Sequence, residues 1–325
     1  MSRRGGGRRR RPDSGVSGCV VIDKPAGCTS HDVVDDVRRA LGTRKVGHAG
    51  TLDPDATGVL VLGVGSGTKL LQFVTGSDKI YHGRICFGTE TSTLDAAGEV
   101  TARHEMNFEP AEAIEAAKQF VGDIEQIPPM VSAVKVDGRR LHELAREGTE
   151  VERKPRPVTV HRFEVTPTDD RLVYEVVVEC SSGTYIRTLA ADLGHALGGG
   201  AHLCRLRRTA VGPFTLDDAT TLPPRAPRNE STATDSSETL SNDAEAPIQK
   251  VKLLPVDELV RGMPVVQVEQ EVAIHVANGR SMPAGGGQGK VAVKGPSGDL
   301  LAIYEVRDRE LRPVKVLSSA TGTSK

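Results

Sequence analysis

The sequence Gly47-His48-Ala49-Gly50-Thr51-Leu52-Asp53-Pro54 lies between two stretches that predict regular structure. Two glycines and a proline within eight residues cannot propagate a helix and would leave gaps in a strand ladder, so this segment is predicted to be a loop. It also carries an imidazole and a carboxylate, and such groups on a loop held by a rigid scaffold are typical of a functional site. An ordinary surface turn remains the alternative for these eight residues alone.

The residues on both sides of this loop predict a mixed fold. Upstream, residues 18–23 (GCVVID) read as a buried strand, and Ser30 is predicted to cap a helix that Gly42 ends. Downstream, residues 58–63 (GVLVLG) predict a second buried strand. Further strands are expected at 79–88, 158–166, 172–180 and 201–209, and helices at 68–74, 110–121 and 184–197. Because strands and helices do not alternate strictly, the fold class is α+β, with a mainly antiparallel mixed sheet flanked by helices.

The chain is too long for one hydrophobic core, and its composition predicts where it divides. An Arg-rich arm (1–16) and a Ser-, Thr- and acid-rich linker (223–250) have little to bury, so disorder is expected in both. Between them lies a main domain (17–222), with a charged excursion at about 123–156. A helix at 253–260, a helix at 271–278 and several short strands predict a small C-terminal β-barrel (251–318), followed by a tail (319–325).

Charge and hydropathy narrow the possible partners. The first eleven residues hold six arginines and no acid, so the formal net charge of −1 becomes −7 for the remainder. The arm is either a hook for polyanions or a solvated tail, while the folded part is not basic overall. No apolar run is long enough to span a bilayer and no signal peptide is visible, so a cytoplasmic protein without a membrane partner is expected.

The cysteines predict neither a disulfide framework nor a metal site. They are widely spaced, odd in number and never form a CxxC pair: Cys19, Cys28, Cys86, Cys180 and Cys204. Free and mostly buried thiols are therefore expected, with no metal and no cofactor.

Four motifs, taken together, resemble one enzyme family. They are the loop GHAGTLDP with the upstream turn KPAG (24–27), KIYHG (79–83), SSGTYIRTLA (181–190) and AHLCRLRR (201–208). Their order and separations are similar to those of the TruB family of tRNA pseudouridine synthases, over about residues 18–221. The resemblance implies the pseudouridine synthase fold, and the C-terminal module resembles a PUA-like RNA-binding domain more weakly.

The resemblance also implies an activity and the residues that perform it. The family isomerises a uridine in the T-loop of transfer RNA, position 55, to pseudouridine without metal or cofactor, as a stand-alone monomer. It makes Asp53 the catalytic carboxylate and Arg187 its ion-pair partner. Active-site support would come from Tyr81, Tyr185, Leu206 and Lys24. RNA contacts would come from His48, Arg139, Arg140, Arg205 and Arg208.

The chemistry suits these residue types. A carboxylate can act as a nucleophile or as a base that removes a sugar proton, and an aspartate serves either route. An adjacent arginine is expected to lower the pKa of Asp53 by roughly 1–3 units. Since the group is already ionised at pH 7, Arg187 is predicted to orient the carboxylate rather than to ionise it.

Several interpretations stay open at this point. The excursion at 123–156 is either a loop that clamps RNA, as the resemblance implies, or a solvated surface subdomain. Thr93 and Asp95 also match a family segment, in which a turn and an RNA contact are equally consistent with the pattern. A catalytically silent RNA-binding module and a guide-RNA-dependent, dyskerin-like synthase are the competing functions. A glycoside hydrolase would need a second carboxylate, and none stands out.

Overall fold

A computed structural model describes residues 14–132, 135–136, 139–140, 151–222 and 251–317. The strands, in chain order, are β1 Gly18–Lys24, β2 Val46–His48, β3 Thr57–Val64, β4 Lys79–Phe87, β5 Thr89–Thr91, β6 Val100–Arg103, β7 Gly122–Gln126, β8 Lys135–Val136, β9 Arg139–Arg140, β10 Arg156–Pro167, β11 Val173–Cys180, β12 Ala201–Val211, β13 Phe214–Thr215, β14 Thr220–Thr221, β15 Val265–Gln267, β16 Met282–Pro283, β17 Gly289–Lys294, β18 Leu300–Arg307 and β19 Glu310–Val316. The α-helices are α1 Ser30–Leu41, α2 Leu71–Thr75, α3 Pro110–Ala117, α4 Ile186–Ala196 and α5 Gln270–Ala277. Short 3-10 segments are Gly65–Lys69, Lys118–Phe120, Leu216–Asp218 and Val256–Val260.

A ten-stranded sheet forms the main body of the fold. Its strand order is β14-β1-β3-β12-β4-β11-β10-β7, with β2 paired to β3 and β13 paired to β12. The described pairs are antiparallel except β1 with β14 and β3 with β12. The predicted α+β class, with a mainly antiparallel mixed sheet, is confirmed.

Strand β3 is buried on both faces, which explains its unbroken apolar sequence. Val59 and Val61 pack into one hydrophobic cluster, and Leu60 and Leu62 into another on the opposite face. All four are 0 % exposed, and burying each contributes about 1.5–3 kcal/mol by area. The strand therefore fixes the position of the loop that precedes it.

Helix α1 covers one of these faces through Val33, Val34 and Val37. Thr29 caps it, because its side chain accepts from the Asp32 amide while the Asp32 carboxylate accepts from the Thr29 amide. The predicted cap, Ser30, was wrong by one residue. The Ser30 hydroxyl instead accepts from the Leu52 amide (2.9 Å) and donates to the Leu52 carbonyl (3.1 Å).

The C-terminal residues form a five-stranded sheet in the order β15-β17-β18-β19-β16, curled into a half-barrel. The predicted small β module is confirmed. Leu254 exchanges two backbone hydrogen bonds with Cys19 on β1, and Leu259 belongs to the same hydrophobic cluster as Val21, so this part of the chain rests on the large sheet. The predicted helix at 253–260 is a 3-10 segment, Val256–Val260, which begins after Pro255.

The predicted domain boundaries stay predictions. The Arg-rich arm up to residue 13, the linker from residue 223 and the tail lie outside the described residues. Within the excursion, β8 and β9 pair antiparallel, and residues 141–150 also lie outside the described residues. Among the helices that the structure describes, none is both long and apolar enough to cross a membrane.

Candidate active site

The loop that contains Asp53 is held from below by Lys24. The Lys24 ammonium is 0 % exposed and donates to the carbonyls of Pro25, Cys28 and Pro54 at 2.9, 2.7 and 2.8 Å. The Ser30 hydroxyl on α1 bonds to both the amide and the carbonyl of Leu52. Lys24 and Ser30 therefore hold Pro54 and Leu52, the two residues that flank Asp53. Lys24 thus lies where support of the active-site loop requires it.

Arg208 holds the other half of the loop. Its guanidinium donates to the carbonyls of Val59 (2.8 Å), Gly50 (3.1 Å) and Thr51 (3.4 Å), and the residue is only 1 % exposed. The prediction that Arg208 contacts RNA was therefore wrong, because the residue is buried and its guanidinium donates to backbone carbonyls. Gly58 has φ 104°, and a Cβ there would collide with the Arg208 carbonyl, so glycine is needed where β3 meets β12.

The structure brings Asp53 and Arg187 together, although 134 residues separate them in the chain. Arg187, on the first turn of α4, places Nε 3.1 Å from Oδ2 and Nη2 3.3 Å from Oδ1 of Asp53. The Arg187 side chain is 6 % exposed whereas that of Asp53 is 41 % exposed. The arginine is therefore fixed, and the carboxylate that it orients still faces an open cavity.

Asp95 is a second carboxylate on the same arginine. Its Oδ2 lies 3.3 Å from Nη1 of Arg187. The same guanidinium donates through Nη1 to the Thr93 carbonyl (3.0 Å) and through Nη2 to the Val131 carbonyl (2.9 Å). Asp95 also accepts from the Thr93 hydroxyl and the Ala97 amide, as a turn residue does. The segment forms a turn that also holds Arg187, and an RNA contact by this segment stays a prediction.

Burial controls the protonation of Asp53 more than its partner does. Desolvation in the cavity raises the pKa of the Asp53 carboxyl, while Arg187 lowers it, and the net direction is upward. The expected lowering by Arg187 is confirmed in direction, but the loss of water outweighs it, so the pKa of the carboxyl rises overall. What Arg187 supplies is orientation and a compensating charge in a partly desolvated place.

A cavity of about 420 Å³ opens beside Asp53 and is large enough for a nucleoside-sized group. Tyr81 on β4, Tyr185 at the start of α4 and Leu206 on β12 line it, as does Lys79. Tyr81 is 7 % exposed, and burial raises the pKa of its hydroxyl. Three of the four predicted support residues, Tyr81, Tyr185 and Leu206, therefore line one cavity with the carboxylate at its wall, and Lys24 holds the loop from below.

Two residues in this region were missed from the sequence. Gln126 is buried and accepts from the Tyr185 amide (2.9 Å) while donating to the Tyr185 carbonyl (3.3 Å), which pins the start of α4. Lys79 is buried next to Arg208, and burial lowers the pKa of its ammonium to about 8. The strand motif KIYHG contains Lys79, so the residue could have been proposed from the same motif as Tyr81.

His48 lies at the start of the loop and is largely enclosed. Its ring packs edge-on against His31, with centroids 5.5 Å apart. Burial, with the charges of His31 and Arg208, lowers the pKa of His48 to about 4. The imidazole is therefore neutral at pH 7, which suits a ring that fills apolar space better than one that binds phosphate.

The other three residues predicted to contact RNA lie in two different places. Arg205 is exposed on β12 and lines a second cavity of about 240 Å³ on the other side of Asp53. Arg139 is exposed on the hairpin, and Arg140 lies beside it on β9. Arg207, between Arg205 and Arg208, pairs with Asp23 at 2.7 Å.

Two cysteines differ from expectation. Cys19, Cys28 and Cys180 are free and buried, as predicted. The sulfurs of Cys86 on β4 and Cys204 on β12 lie against each other, with Cα atoms 5.9 Å apart, a proximity that the sequence did not predict. The two are 118 residues apart in the chain, and the pairing of β4 with β12 brings them together.

Comparison with known proteins assigns the chain to a class. Residues 38–186 match the TruB family pseudouridylate synthase N-terminal domain, residues 187–261 the tRNA pseudouridylate synthase B C-terminal domain, and residues 263–318 the tRNA pseudouridine synthase II C-terminal domain. The chain belongs to the TruB family of pseudouridine synthases, and the resemblance seen in its motifs is confirmed.

Relatives and solved structures agree with this assignment. The chain is 47 % identical to tRNA pseudouridine synthase B of Rhodococcus jostii over 96 % of this chain and 98 % of that protein. It is 46 % identical to the enzyme of the same name from Corynebacterium aurimucosum, over 94 % and 97 %. A solved Cbf5-Nop10-Gar1 complex contains a chain that is similar at 26 % identity, with a TM-score of 0.66, over 93 % of this chain and 85 % of that one.

Proposed function

We propose that this protein isomerises a uridine of transfer RNA to pseudouridine. The observation that carries the proposal is the exposed Asp53 carboxylate, held by buried Arg187 at the wall of a nucleoside-sized cavity lined by Tyr81. The family membership and the name of the relatives, tRNA pseudouridine synthase B, support the same activity. We extend the proposal to position 55 in the T-loop, which the motif resemblance implies.

The reaction is an isomerisation, so its atoms balance within the substrate. The bond between N1 and C1′ breaks, the uracil turns, C5 bonds to C1′, and the proton of C5 is replaced by one on N1. Asp53 begins the sequence as a nucleophile on the sugar or as a base that takes a sugar proton. Both routes start from an ionised carboxylate facing the cavity, which the Arg187 contacts hold in place.

The target base must leave its stack, at a cost of a few kcal/mol. Tyr81 forms an aromatic wall of the cavity, and stacking of a base on such a ring returns roughly 1–3 kcal/mol. His48 would occupy the space that the base leaves, and its neutral ring avoids the cost of burying a charge there. Two aromatic groups thus suffice for a protein with 3 % aromatic residues.

The partners and location follow as parts of the same proposal. Arg205 and Arg139 are exposed near the cavity mouth and on the hairpin, and they would contact RNA phosphates. The C-terminal half-barrel would extend this surface. The protein would act in the cytoplasm as a monomer, with no metal or cofactor in the reaction and no obligatory protein partner.

A single-turnover assay with an unmodified tRNA transcript tests the proposal. Pseudouridine should form at position 55 and at no other uridine when the full chain is in excess. A matched transcript with cytidine at position 55 should bind equally well and give no product. Binding without any product would favour a silent RNA-binding module, and product at another position would overturn the T-loop assignment.

A further inference from the structure

Three potential ligand atoms converge outside the catalytic cavity, where β4 and β12 pair. Cys86 lies opposite His202 in this register, and Cys204 lies at a bulge between Leu203 and Arg205. The two sulfurs and one imidazole nitrogen all lie within 4.8 Å of one another, and all three residues are partly buried. Among the described residues they form the one group of three or more such ligands.

The imidazole of His202 is oriented by its second nitrogen. Nδ1 lies 2.9 Å from the Thr89 carbonyl oxygen, which can only accept, so Nδ1 carries the proton. Nε2 is then left with a free lone pair, and it lies 3.9 Å from Sγ of Cys204. A backbone carbonyl that fixes the ring and tautomer in this way is typical of histidines that ligate metals.

We propose that Cys86, His202 and Cys204, when the cysteines are reduced, bind a soft divalent cation of the Zn²⁺ class. In tetrahedral coordination, Zn–S bonds of about 2.3 Å and Zn–N bonds of about 2.0–2.1 Å place nitrogen and sulfur roughly 3.6 Å apart. The separation of His202 Nε2 and Cys204 Sγ is close to this value. Because the site is partly exposed, water can supply the fourth ligand.

A disulfide between Cys86 and Cys204 would be the oxidised form of the same site. A dithiol reductant gives two electrons and two protons to the bond between Cys86 and Cys204 and becomes a disulfide itself. The metal then displaces the two thiol protons as it binds. Disulfides are rare in a reducing cytosol, so the metal-binding form is the relevant one if the proposed cytoplasmic location holds.

The place of the site gives it a structural role near the catalytic residues. Leu203, between two of the ligands, donates to the Leu94 carbonyl (3.0 Å) and accepts from the Ala96 amide (3.1 Å). These bonds hold the turn that contains Asp95, the second partner of Arg187. A metal at this point would tie β12 and its bulge to β4 without touching the substrate cavity.

Cobalt titration of the full chain tests the proposal. The protein is reduced with a phosphine, freed of metal and titrated with Co²⁺ under nitrogen. One equivalent should bind with a thiolate-to-cobalt charge-transfer band, and Zn²⁺ should displace it. Cys86→Ser and Cys204→Ser should abolish the band, and His202→Gln should weaken Co²⁺ binding by at least about tenfold. Cys180→Ser, at a buried free cysteine, is the matched control and should keep the band.

A second measurement on the wild type removes dependence on variant folding. Zn²⁺ should protect Cys86 and Cys204 of the reduced chain from alkylation, as mapped by mass spectrometry. The proposal is overturned if reduced wild type shows no Co²⁺ band, or if alkylation of both cysteines is equal with and without Zn²⁺. A band that survives in folded Cys204→Ser would equally exclude this site. Neither assay depends on pseudouridine formation, so failure here leaves the proposed activity untouched.

Discussion

The two halves of the loop at residues 47–54 are held in different ways. In the first half, Arg208 donates to backbone, to the carbonyls of Gly50 and Thr51. In the second half, Lys24 and Ser30 also hold backbone on either side, but Arg187 grips the side chain of Asp53. Backbone contacts set where the loop lies, whereas the single side-chain contact sets how the carboxylate is aimed.

The contacts to the first half of the loop therefore support the fold, whereas the Arg187 contact to the second half supports the chemistry. Arg208 is buried among neutral acceptors, and removing it leaves carbonyls without donors. Arg187 is buried against two carboxylates, so removing it changes the charge and aim of the site. We therefore expect variants of the second half to lose turnover and variants of the first half to lose stability.

The largest effect is expected for Asp53→Asn. The amide cannot serve as nucleophile or base, so single-turnover pseudouridine formation should fall to background while tRNA affinity changes little.

Since burial raises the folded pKa of Asp53, the folded state binds that proton more readily than the unfolded state, and the ionised carboxylate costs stability at pH 7. Asp53→Asn should therefore unfold at an equal or higher urea concentration. Asp55→Asn, on the exposed side of the loop, is the control and should stay active. Turnover above background in Asp53→Asn would refute the catalytic assignment.

Arg187→Lys should produce the next largest loss. Lysine keeps the positive charge but cannot span Asp53, Asp95 and the carbonyls of Thr93 and Val131 together. Misaiming the carboxylate by about 1 Å can cost about 100-fold, so the single-turnover rate constant should fall by roughly that factor. Arg84→Lys, at an exposed ion pair with Glu175, should leave the rate unchanged. An unaltered rate in Arg187→Lys would show that orientation by the guanidinium is dispensable.

Local sequence anticipated the strands better than it anticipated contacts between them. The run GVLVLG predicted a strand buried on both faces, and β3 is one. Thr29 and Ser30 are both good helix caps, and only the distant partner Leu52 decides between them. Cys86 and Cys204 meet through a pairing across 118 residues, which spacing along the chain cannot reveal.

Contacts between distant residues of the site were equally hard to predict from local sequence. Asp53 and Arg187 were named together because four motifs resemble one family, since nothing local links residues so far apart. Arg205 and Arg208 look alike in sequence, yet one is exposed and the other is buried. Alternation along β12 places them on opposite faces, and that was a usable signal. The upward pKa of Asp53 depends on burial, which a motif does not report.

Arg208→Lys tests the first half of the loop. Lysine replaces the planar guanidinium with a single ammonium, which would leave at least one of the carbonyls of Val59, Gly50 and Thr51 unsatisfied. The free energy of unfolding should therefore fall by about 2–4 kcal/mol. Urea titration measures this change. Arg205→Lys, on the exposed face of the same strand, should change it by less than about 0.5 kcal/mol. If Arg208→Lys were as stable as the wild type, the backbone contacts would not hold the loop.

The smallest effect concerns His48 and the pH dependence of stability. Its pKa is about 4 in the folded state against an ordinary value of 6.5, so the unfolded state binds more protons between these values. Its contribution is therefore fully present above pH 6.5 and declines as the pH falls toward 4. Relative to His48→Gln, the wild type should lose about 1–3 kcal/mol of unfolding free energy between pH 7 and pH 4.5, as measured by urea titration at each pH. His82→Gln, at an exposed histidine on β4, should follow the wild-type curve. Parallel curves for wild type and His48→Gln would mean that the ring takes up its proton without cost, and His48 would then be able to meet phosphate as a cation.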